Sequence, residues 1–541
     1  MKDTIISMVI SLAMALVAKA YVIEAFVIPT GSMAPTLLGQ HMEFTSPQSG
    51  VTWAVNPWYY DSSGNPFGLQ GGPNVPDPTV TDPMTVSRVA YERLRSGGRS
   101  PDGWDVGGES VRVRAGDRIL VQKFLYEVFG PERYDVVVFK NPENASENFI
   151  KRLVGLPGEE LLLADGDVFV RLLDWSGGDG EGEAASGWAI APKPVGVQER
   201  LWRTVFSTEY TPLAPVDRTG RSWFRSPWGG VGWEAEGRGA LVHGGASGAG
   251  GGYTLVWDSS GWPITDWEPY NDVRNAQLMP PRPQFPVADV RVRGGVEPMG
   301  EGLTASIEVA GRGHHWRAVL GADRTALEMK AAGDGSWEVL AETAEPMELE
   351  AGVVTDVEFW HWDQRVRLVL GGEEVLSAGY GWSPTERLGY ATTVSAADLG
   401  VNDRALADPR AYRPSLASLG WAFQGPGVRL HRVGVDRDIW YQPAVYLAGP
   451  EKGLAALGTH PEKTVRLRED QYFTLGDNSA SSKDGRLWDR LDPVVERDVD
   501  PTMGVVNDDL MLGKAFFVYF PAPRWMGRIP VPDFGGMRFI W

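Results

Sequence analysis

The sequence predicts a mainly β protein that carries an N-terminal transmembrane helix, an antiparallel β-sheet domain and a large inserted β-sandwich of jelly-roll-like type. Three observations lead to this prediction. Gly (66) and Pro (39) make up about 19 % of the 541 residues, against a usual share of roughly 12 %, which indicates many turns. Several short segments alternate apolar and polar residues, as half-buried strands do. One long apolar run lies near the start of the chain.

The composition excludes several functional classes. The chain has 51 basic and 70 acidic residues, a formal charge of −19 and no cysteine. A disulfide scaffold, a thiolate metal site and a cysteine nucleophile are therefore excluded. The acidic balance argues against a nucleic-acid partner, which needs a basic face. Because no His, Asp or Glu spacing matches a known metal motif, we assign no metal and expect no cofactor.

The first element is an apolar segment. Residues 5–18 are apolar or small and uncharged, and Lys2 precedes them. Together with the residues up to Ile28, about 20 mainly apolar residues are available, enough to span a bilayer. Ala18 and Ala20 form a small-x-small cleavage pattern. On its own, the segment is therefore either a retained anchor or a cleaved signal peptide.

The next element is a constrained turn that displays a serine. Residues 26–37 read FVIPTGSMAPTL, with Ser32 at the centre and a proline three residues to either side. Proline restricts the backbone and glycine relaxes it, so this segment predicts a rigid turn with one hydroxyl on display. Taken alone, Ser32 also fits an ordinary loop serine.

Two further segments hold charged residues in unusual settings. Residues 134–140 predict a buried strand, and residues 148–159 read NFIKRLVGLPGE, which places Lys151 in mid-strand among apolar neighbours. An edge-strand lysine that reaches solvent is the plain alternative. Residues 476–486 read GDNSASSKDGR and, on composition alone, form a polar turn.

In this order behind an apolar segment, these blocks resemble the type I signal peptidases. Those are membrane-anchored Ser/Lys endopeptidases with a LexA-like catalytic fold, and they remove signal peptides from exported preproteins. The resemblance covers about half of the chain, roughly residues 5–170 and 441–520. Five blocks carry it, and their residues are 26–37, 116–124, 148–159, 476–486 and 513–515.

The resemblance implies roles for individual residues. Ser32 is the nucleophile and Lys151 the general base, Thr30 assists the oxyanion hole, and Ser482 orients the lysine ammonium. Eight more positions match residues of structural motifs or of the substrate pocket. The motif residues are Arg152, Asp477, Asp484 and Arg486, and the pocket residues are Phe26, Ile28, Met33 and Ile150.

The chemistry explains why these residue types are needed. A lysine acts as a base only when it is neutral, and its ordinary pKa is about 10.4. Burial disfavours the ammonium and can lower the pKa of a lysine by about 3–5. Shallow apolar pockets would admit only small side chains, so the resemblance implies cleavage after Ala-x-Ala sites. Ser479 and Gly485 replace the family's usual Arg and Ser, which leaves the local ion pairs in doubt.

The resemblance also favours a retained anchor, because in this family the anchor runs almost directly into the serine turn. It implies a single-pass protein of the bacterial cytoplasmic membrane, with the catalytic domain on the outer face. The implied partners are the lipid bilayer and preprotein signal peptides. Self-cleavage after Ala20 remains the alternative.

The resemblance stops near Arg171 and resumes near Tyr441. From about Pro286, period-2 segments predict an antiparallel sandwich, and residues 365–373 resemble a hairpin of laminin-G-like and concanavalin-like domains. The period-2 segments are residues 304–309, 316–320, 357–362, 366–370 and 428–435.

The sequence predicts a division of the chain into five parts. They are an anchor at 1–25, a first catalytic segment at 26–170 with an extra loop region at 41–109, an irregular Gly/Trp-rich segment at 171–285, an inserted β-sandwich at 286–440 and a second catalytic segment at 441–541.

The insertion leaves two interpretations open. Its many tryptophans either offer faces to a glycan or another envelope partner, or they fill the core. If the insertion is an accessory module, removing residues 171–440 should leave peptidase activity intact.

Two rival functions follow from the same sequence. One is a self-cleaving Ser/Lys repressor, which the apolar segment and the five blocks argue against. The other is a membrane-tethered envelope-binding or glycan-binding protein with a degenerate peptidase scaffold. The intact Ser32, Lys151, Thr30 and Ser482 weigh against the second.

Overall fold

A computed structural model describes the protein over most of its length. The described residues are 6–8, 23–46, 48–56, 58–60, 66–68, 79–86, 88–90, 114–173, 187–212, 214–216, 219–245, 251–272, 284–395, 398, 404–414, 418–447, 451–526 and 529–540. The predicted transmembrane helix at 1–25 lies largely outside them: residues 6–8 are helical, and Ile23–Val27 is a strand. Among the described residues, no helix is both long and apolar enough to cross a bilayer.

The mainly β prediction is confirmed, and all the strand pairs are antiparallel. Four larger sheets dominate, with small hairpins beside them. The hairpins pair Met42–Thr45 with Thr52–Val55, Trp58–Tyr60 with Pro66–Gly68, Thr79–Thr81 with Arg88–Ala90, and Arg524–Met526 with Ile529–Val531. Complete α-helices within the described residues include Leu125–Phe129, Val195–Leu201, Pro384–Ala391 and Pro493–Asp498. The 3-10 turns found there include Thr208–Tyr210, Pro269–Asn271, Ala405–Ala407, Pro409–Ala411, Ser479–Ser481, Asp508–Leu510 and Phe534–Gly536.

The first sheet combines segments from both ends of the chain. Its strands, in spatial order, are Ile23–Val27, Arg118–Gln122, Met511–Phe520, Val136–Asn141, Asn144–Gly155, Gln471–Leu475 and Val506–Asn507, with Arg538–Phe539 also on Met511–Phe520. The predicted buried strand at 134–140 is confirmed by Val136–Asn141, whose apolar residues are buried. This sheet therefore brings the serine turn, the lysine strand and the segment before the polar turn into one layer.

A second, four-stranded sheet packs beside the first. Its strands, in order, are Ala189–Ile190, Asp167–Leu172, Glu159–Ala164 and Val465–Arg466. The tight turn between the two central strands uses Asp165 and Gly166, both with the positive φ that a two-residue hairpin turn requires. The core of this sheet holds Leu161, Phe473 and Leu475, so the two sheets share apolar residues.

The remaining two sheets face each other and bury a large common core. One contains Glu234–Glu236, Ala240–Gly245, Pro426–Arg437, Val290–Pro298, Thr355–Trp362, Arg365–Leu370 and Glu373–Gly379, with Arg203–Ser207 on Pro426–Arg437. The other contains Trp228–Gly229, Gly252–Trp257, Ser418–Gln424, Thr304–Gly311, His314–Leu320, Thr325–Lys330 and Glu338–Glu342. All five period-2 segments lie on these strands. Gly371 and Gly372 have positive φ and form the hairpin turn expected of such a pair.

The segment 171–285, expected to be irregular, contributes strands to three sheets. Ala189–Ile190 joins the four-stranded sheet, and Ala240–Gly245 and Gly252–Trp257 join the two facing sheets. Ala189–Ile190 and Ala240–Gly245 show no alternation of apolar and polar residues, so they give no strand signal in sequence. Gly252–Trp257 does alternate, with its second, fourth and sixth residues buried, and the prediction missed it. The domain boundaries themselves stay a prediction.

Most tryptophans of the insertion lie inside the protein. The buried ones are Trp202, Trp228, Trp257, Trp316, Trp360, Trp362, Trp382, Trp421 and Trp440. Many of them belong to the core between the two facing sheets. The core interpretation therefore accounts for these residues, and they present no aromatic face to a sugar.

A buried cluster of charges joins the four-stranded sheet to the sandwich. Arg387 is fully buried, and its guanidinium donates to Asp165 (2.9 Å), Asp167 (2.5 Å) and Asp289 (3.1 Å). Arg312 adds bonds to Asp165 and Asp289. Such a cluster is stable only while its charges stay paired. It therefore ties the orientation of the sandwich to the hairpin at Asp165.

Removing the central cation of this cluster should destabilise the protein strongly. Arg387→Ala leaves three buried carboxylates without their shared partner, so we expect a loss of about 3–5 kcal/mol in the free energy of unfolding. Urea unfolding followed by near-UV circular dichroism measures the effect. Arg410→Ala is the matched control, because Arg410 is 90 % exposed beside Asp408 and should change nothing measurable. Equal unfolding midpoints for the two variants would contradict the structural role of the cluster.

Candidate active site

The serine turn follows the edge strand Ile23–Val27 directly. Strand pairing continues through the Ile28 amide, which donates to the Asp117 carbonyl (2.9 Å), and the chain then bends away. Within the turn, the Ala34 amide donates to the Gly31 carbonyl (3.0 Å). Ser32 is partly exposed at the top of this bend, while its neighbour Met33 is fully buried. The buried methionine anchors the turn and leaves the serine accessible.

Lys151 lies opposite Ser32 on the strand Asn144–Gly155. Its side chain is buried, with 3 % exposure, and its Nζ donates to Ser32 Oγ (2.9 Å) and to the Ile150 carbonyl (3.1 Å). The structure thus brings together two residues that are 119 positions apart in sequence. A base within hydrogen-bond reach of a hydroxyl is the arrangement that activates a serine.

Burial lowers the pKa of Lys151 to about 8. The carboxylates of Asp484 and Asp477 act against this shift, and the Arg486 guanidinium supports it. The loss of hydration therefore outweighs the nearby negative charges. A substantial fraction of Lys151 is neutral just above neutral pH.

Arg152 and Asp477 form a buried ion pair next to the lysine. The guanidinium donates to both carboxylate oxygens (2.8 and 2.7 Å) and also to the Tyr134 carbonyl (2.7 Å). Burial alone would raise the pKa of Asp477, but Arg152 holds it below its usual range. This pair connects the lysine strand to the polar turn.

A second ion pair, between Asp484 and Arg486, closes the polar turn. Two bonds of 2.8 Å join them, and Asp484 also accepts from the Gly476 amide (3.0 Å). Ser479, which stands where the family has Arg, accepts from Arg486 through its hydroxyl (2.8 Å). At Gly485, a side chain would lie 2.6 Å from the Gly504 carbonyl oxygen. The two departures from the family pattern therefore leave this ion pair intact.

The structure places the two accessory hydroxyl residues differently. Ser482 is buried beside Gly476, but it is not among the hydrogen-bond partners of the Lys151 ammonium in the described part of the chain. Thr30 is exposed, two residues before the serine. The orienting role of Ser482 and the oxyanion role of Thr30 stay predictions.

The four residues predicted to line the pocket belong to one apolar cluster under the serine turn. Ile28 and Met33 are fully buried, whereas Phe26 and Ile150 are only partly buried. Of these four, Phe26 and Ile150 are therefore the ones that present surface to a bound chain.

Sequence reasoning missed the residues that hold the serine turn from the other side. The Asn478 amide donates to the Ser32 carbonyl (3.0 Å), and its side chain donates to the Gly31 carbonyl (2.9 Å). The position of Asn478 directly after Gly-Asp is a local signal for a turn residue, because Asn favours turns. Asn271, which bonds to Asn478, gives no comparable signal, since the two are 207 positions apart.

Comparison with known proteins yields two kinds of match. The family described as "Signal peptidase, peptidase S26" matches residues 105–173 and 395–520, which include Lys151 and the polar turn but not Ser32. A probable signal peptidase I-2 of Synechocystis sp. is 39 % identical over 70 residues, 12 % of this chain and 32 % of that protein. Signal peptidase I of Pseudomonas aeruginosa is 31 % identical over 115 residues, 17 % of this chain and 40 % of that protein.

The chain thus spans less than half the length of these two relatives. The matches support a relationship to the signal peptidase family over the matched segments.

Solved structures with some likeness include the carbohydrate-binding module CBM66 from Bacillus subtilis, with 11 % identity, TM-score 0.23, and coverage of 39 % of this chain and 96 % of that one. The galectin LEC-6 of Caenorhabditis elegans has 9 % identity, TM-score 0.17, and coverage of 28 % and 82 %. Scores this low support no inference about this chain.

Gly476 should be intolerant of any side chain. A Cβ there would lie 2.5 Å from the Ser32 carbonyl oxygen and would overlap the Ser482 hydroxyl. We expect Gly476→Ala to cost about 1–3 kcal/mol of unfolding free energy, as overpacked sites do. Chemical denaturation measures this, with Gly335→Ala as the control, because nothing lies within 4 Å of a Cβ at Gly335. Equal stabilities would mean that the polar turn does not press on the serine turn.

Proposed function

We propose that this protein is a serine endopeptidase that removes N-terminal signal peptides from exported preproteins after small-x-small sites such as Ala-x-Ala. The proposal rests on the 2.9 Å hydrogen bond from Lys151 Nζ to Ser32 Oγ, made by a buried lysine whose pKa is lowered to about 8. The signal peptidase matches support the same chemistry over a fraction of the chain.

The reaction would proceed in two stages. Neutral Lys151 removes the Ser32 hydroxyl proton while Oγ attacks the scissile carbonyl, and the resulting ammonium then donates a proton to the leaving amine. The mature protein leaves, and the signal peptide stays attached to Ser32 as an ester. Water, deprotonated by Lys151, then hydrolyses the ester and restores the enzyme.

The negative oxygen formed in each stage needs donors that are already in place. The Ser32 amide and the Thr30 hydroxyl would supply them, as the family resemblance implies. Each such donor is worth roughly 10²–10³ in rate.

Substrate choice would follow from the apolar cluster beneath the serine turn. Phe26 and Ile150 keep some of their surface exposed at this cluster, while Ile28 and Met33 are buried behind them. A pocket closed by large buried side chains has room only for small residues, which supports small-x-small specificity.

The proposal includes a location. The enzyme would be anchored in the bacterial cytoplasmic membrane by the apolar segment at 1–25, with its catalytic residues on the outer face. An anchor would confine the enzyme to the plane in which signal peptides lie and so raise their effective concentration. N-terminal sequencing of the mature protein tests this, and a start at Tyr21 would overturn a retained anchor.

Cleavage of a preprotein with an Ala-x-Ala site tests the dyad directly. We expect Ser32→Ala to abolish cleavage and Lys151→Ala to lower kcat by at least about a hundredfold, the contribution of a general base. Ser336→Ala and Lys452→Ala, at exposed positions, are the matched controls and should cleave normally. Cleavage unaffected by either dyad substitution would contradict the proposed chemistry. Failure of the unmodified protein to cleave would favour the envelope-binding or glycan-binding alternative.

The pH dependence tests the role of Lys151 independently. Because the neutral amine is the reactive form and its pKa is about 8, kcat/KM should rise with pH and level off above 9. Only about one tenth of Lys151 is neutral at pH 7 and about nine tenths at pH 9, so we expect a rise of about tenfold. Initial rates across this range provide the measurement. A flat profile, or one still rising steeply past pH 10, would contradict a depressed lysine pKa.

A further inference from the structure

We propose that Asn271, a residue of the insertion, is a positioning residue for the serine nucleophile. The inference rests on the proposed peptidase function and goes beyond it, because it makes the insertion a component of the active site. Asn271 ends the 3-10 turn Pro269–Asn271, which lies against the turn that carries Ser32.

The first contact is a reciprocal pair of side-chain amides. Asn271 Nδ2 donates to Asn478 Oδ1 (2.6 Å), and Asn478 Nδ2 donates to Asn271 Oδ1 (3.0 Å). The same Asn478 donates from its side chain to the Gly31 carbonyl and from its backbone to the Ser32 carbonyl. Asn271 therefore fixes the side chain that holds the Gly31 carbonyl, directly before the nucleophile.

The second contact is the packing of Tyr270, which is 1 % exposed. Its ring covers Gly31 so closely that a Cβ at this glycine would overlap the ring. Its hydroxyl donates to the Gln40 carbonyl (3.1 Å), three residues after the serine turn. The insertion thus contacts the chain both before and after Ser32.

The 3-10 turn is itself held by the sandwich. Arg437, the last residue of the strand Pro426–Arg437, donates to the Trp267 carbonyl (2.9 Å). Arg203, from a neighbouring strand, donates to the Thr36 hydroxyl of the serine turn (3.0 Å). Hydrogen bonds, together with the short backbone segment between Trp267 and Asn271, therefore connect the sandwich sheet to Ser32.

The placement of Ser32 matters because a displacement of a nucleophile by about 1 Å can lower the reaction rate about a hundredfold. Loss of the Asn271 amide frees the Asn478 side chain to rotate away from Gly31. The expected result is a lower kcat with little change in KM, since neither asparagine is among the pocket-lining residues.

Hydrogen–deuterium exchange of the full chain tests the inference without relying on activity. In Asn271→Ala, we expect the backbone amides of residues 31–37 to exchange at least about fivefold faster than in the unmodified protein. Gln424→Ala is the matched control, because it removes an exposed amide from the same insertion. Unchanged exchange in the serine turn would overturn the inference.

Kinetics with the Ala-x-Ala preprotein provide the second test. We expect Asn271→Ala to lower kcat by about tenfold, the value of a well-placed hydrogen bond, with KM within about twofold. Asn478→Ala should lower kcat at least as much, and the double variant should match Asn478→Ala alone, because Asn271 acts through Asn478. The inference would be overturned if the two substitutions lowered kcat multiplicatively in the double variant. A rise in KM instead of a fall in kcat, or faster exchange with an unchanged kcat, would overturn it as well.

The two tests also separate this inference from the proposed function. If the unmodified protein cleaves no preprotein, the peptidase proposal fails, and hydrogen exchange alone decides whether Asn271 holds the serine turn. If the unmodified protein and Gln424→Ala cleave equally well while Asn271→Ala shows neither effect, the peptidase proposal stands and the positioning role fails.

Discussion

The burial of one lysine against one serine is the constraint on which the rest of the site depends. Lys151 must lose its hydration to be neutral near physiological pH, yet two carboxylates lie close enough to oppose this. Each carboxylate is paired with its own guanidinium: Asp477 with Arg152, and Asp484 with Arg486. Burial lowers the pKa of the lysine despite both carboxylates, and the Arg486 guanidinium adds to the lowering. The Asp484–Arg486 pair next to the dyad thus has an electrostatic effect as well as a structural one.

Much of the fold was predictable, because local patterns report local structure. Alternating residues predicted the sandwich strands, and residues 365–373 predicted a hairpin, whose turn residues Gly371 and Gly372 have the positive φ values that such a turn requires. Lys151 stood out in the sequence because a lysine in the middle of a predicted strand is rarely buried unless it is paired, and otherwise lies at a sheet edge. Local signals of this kind identified the strands, but the pairing of Ser32 with Lys151, which lie 2.9 Å apart, was implied only by the resemblance to the signal peptidases.

The remaining features could not be predicted because they depend on contacts between distant segments. The cluster around Arg387 joins residues more than 200 positions apart, and nothing near Arg387 or Asp165 indicates the pairing. The same holds for Asn271 and Asn478. Two strands of the segment 171–285 were missed for another reason: Ala189–Ile190 and Ala240–Gly245 are short and do not alternate, so their pairing depends on the neighbouring strands.

The contacts between the insertion and the catalytic sheets change the interpretation of the insertion. In sequence it interrupts the peptidase resemblance and looks like a separate module. In the structure, it shares a buried ion cluster with the four-stranded sheet and packs Tyr270 over Gly31. Its tryptophans, the most visible feature of the composition, mainly fill its own core. A short turn, rather than an aromatic face, is what connects it to the site.

The central claim is that Ser32, activated by Lys151, forms a covalent intermediate with its substrate. Rapid acid quenching of a reaction with an Ala-x-Ala preprotein, followed by proteolytic digestion and mass spectrometry, tests it most directly. We predict that the peptide containing Ser32 carries the mass of the signal peptide as an ester, and that Lys151→Ala shows no such adduct. Cleavage that proceeds with an adduct on another residue would contradict this claim.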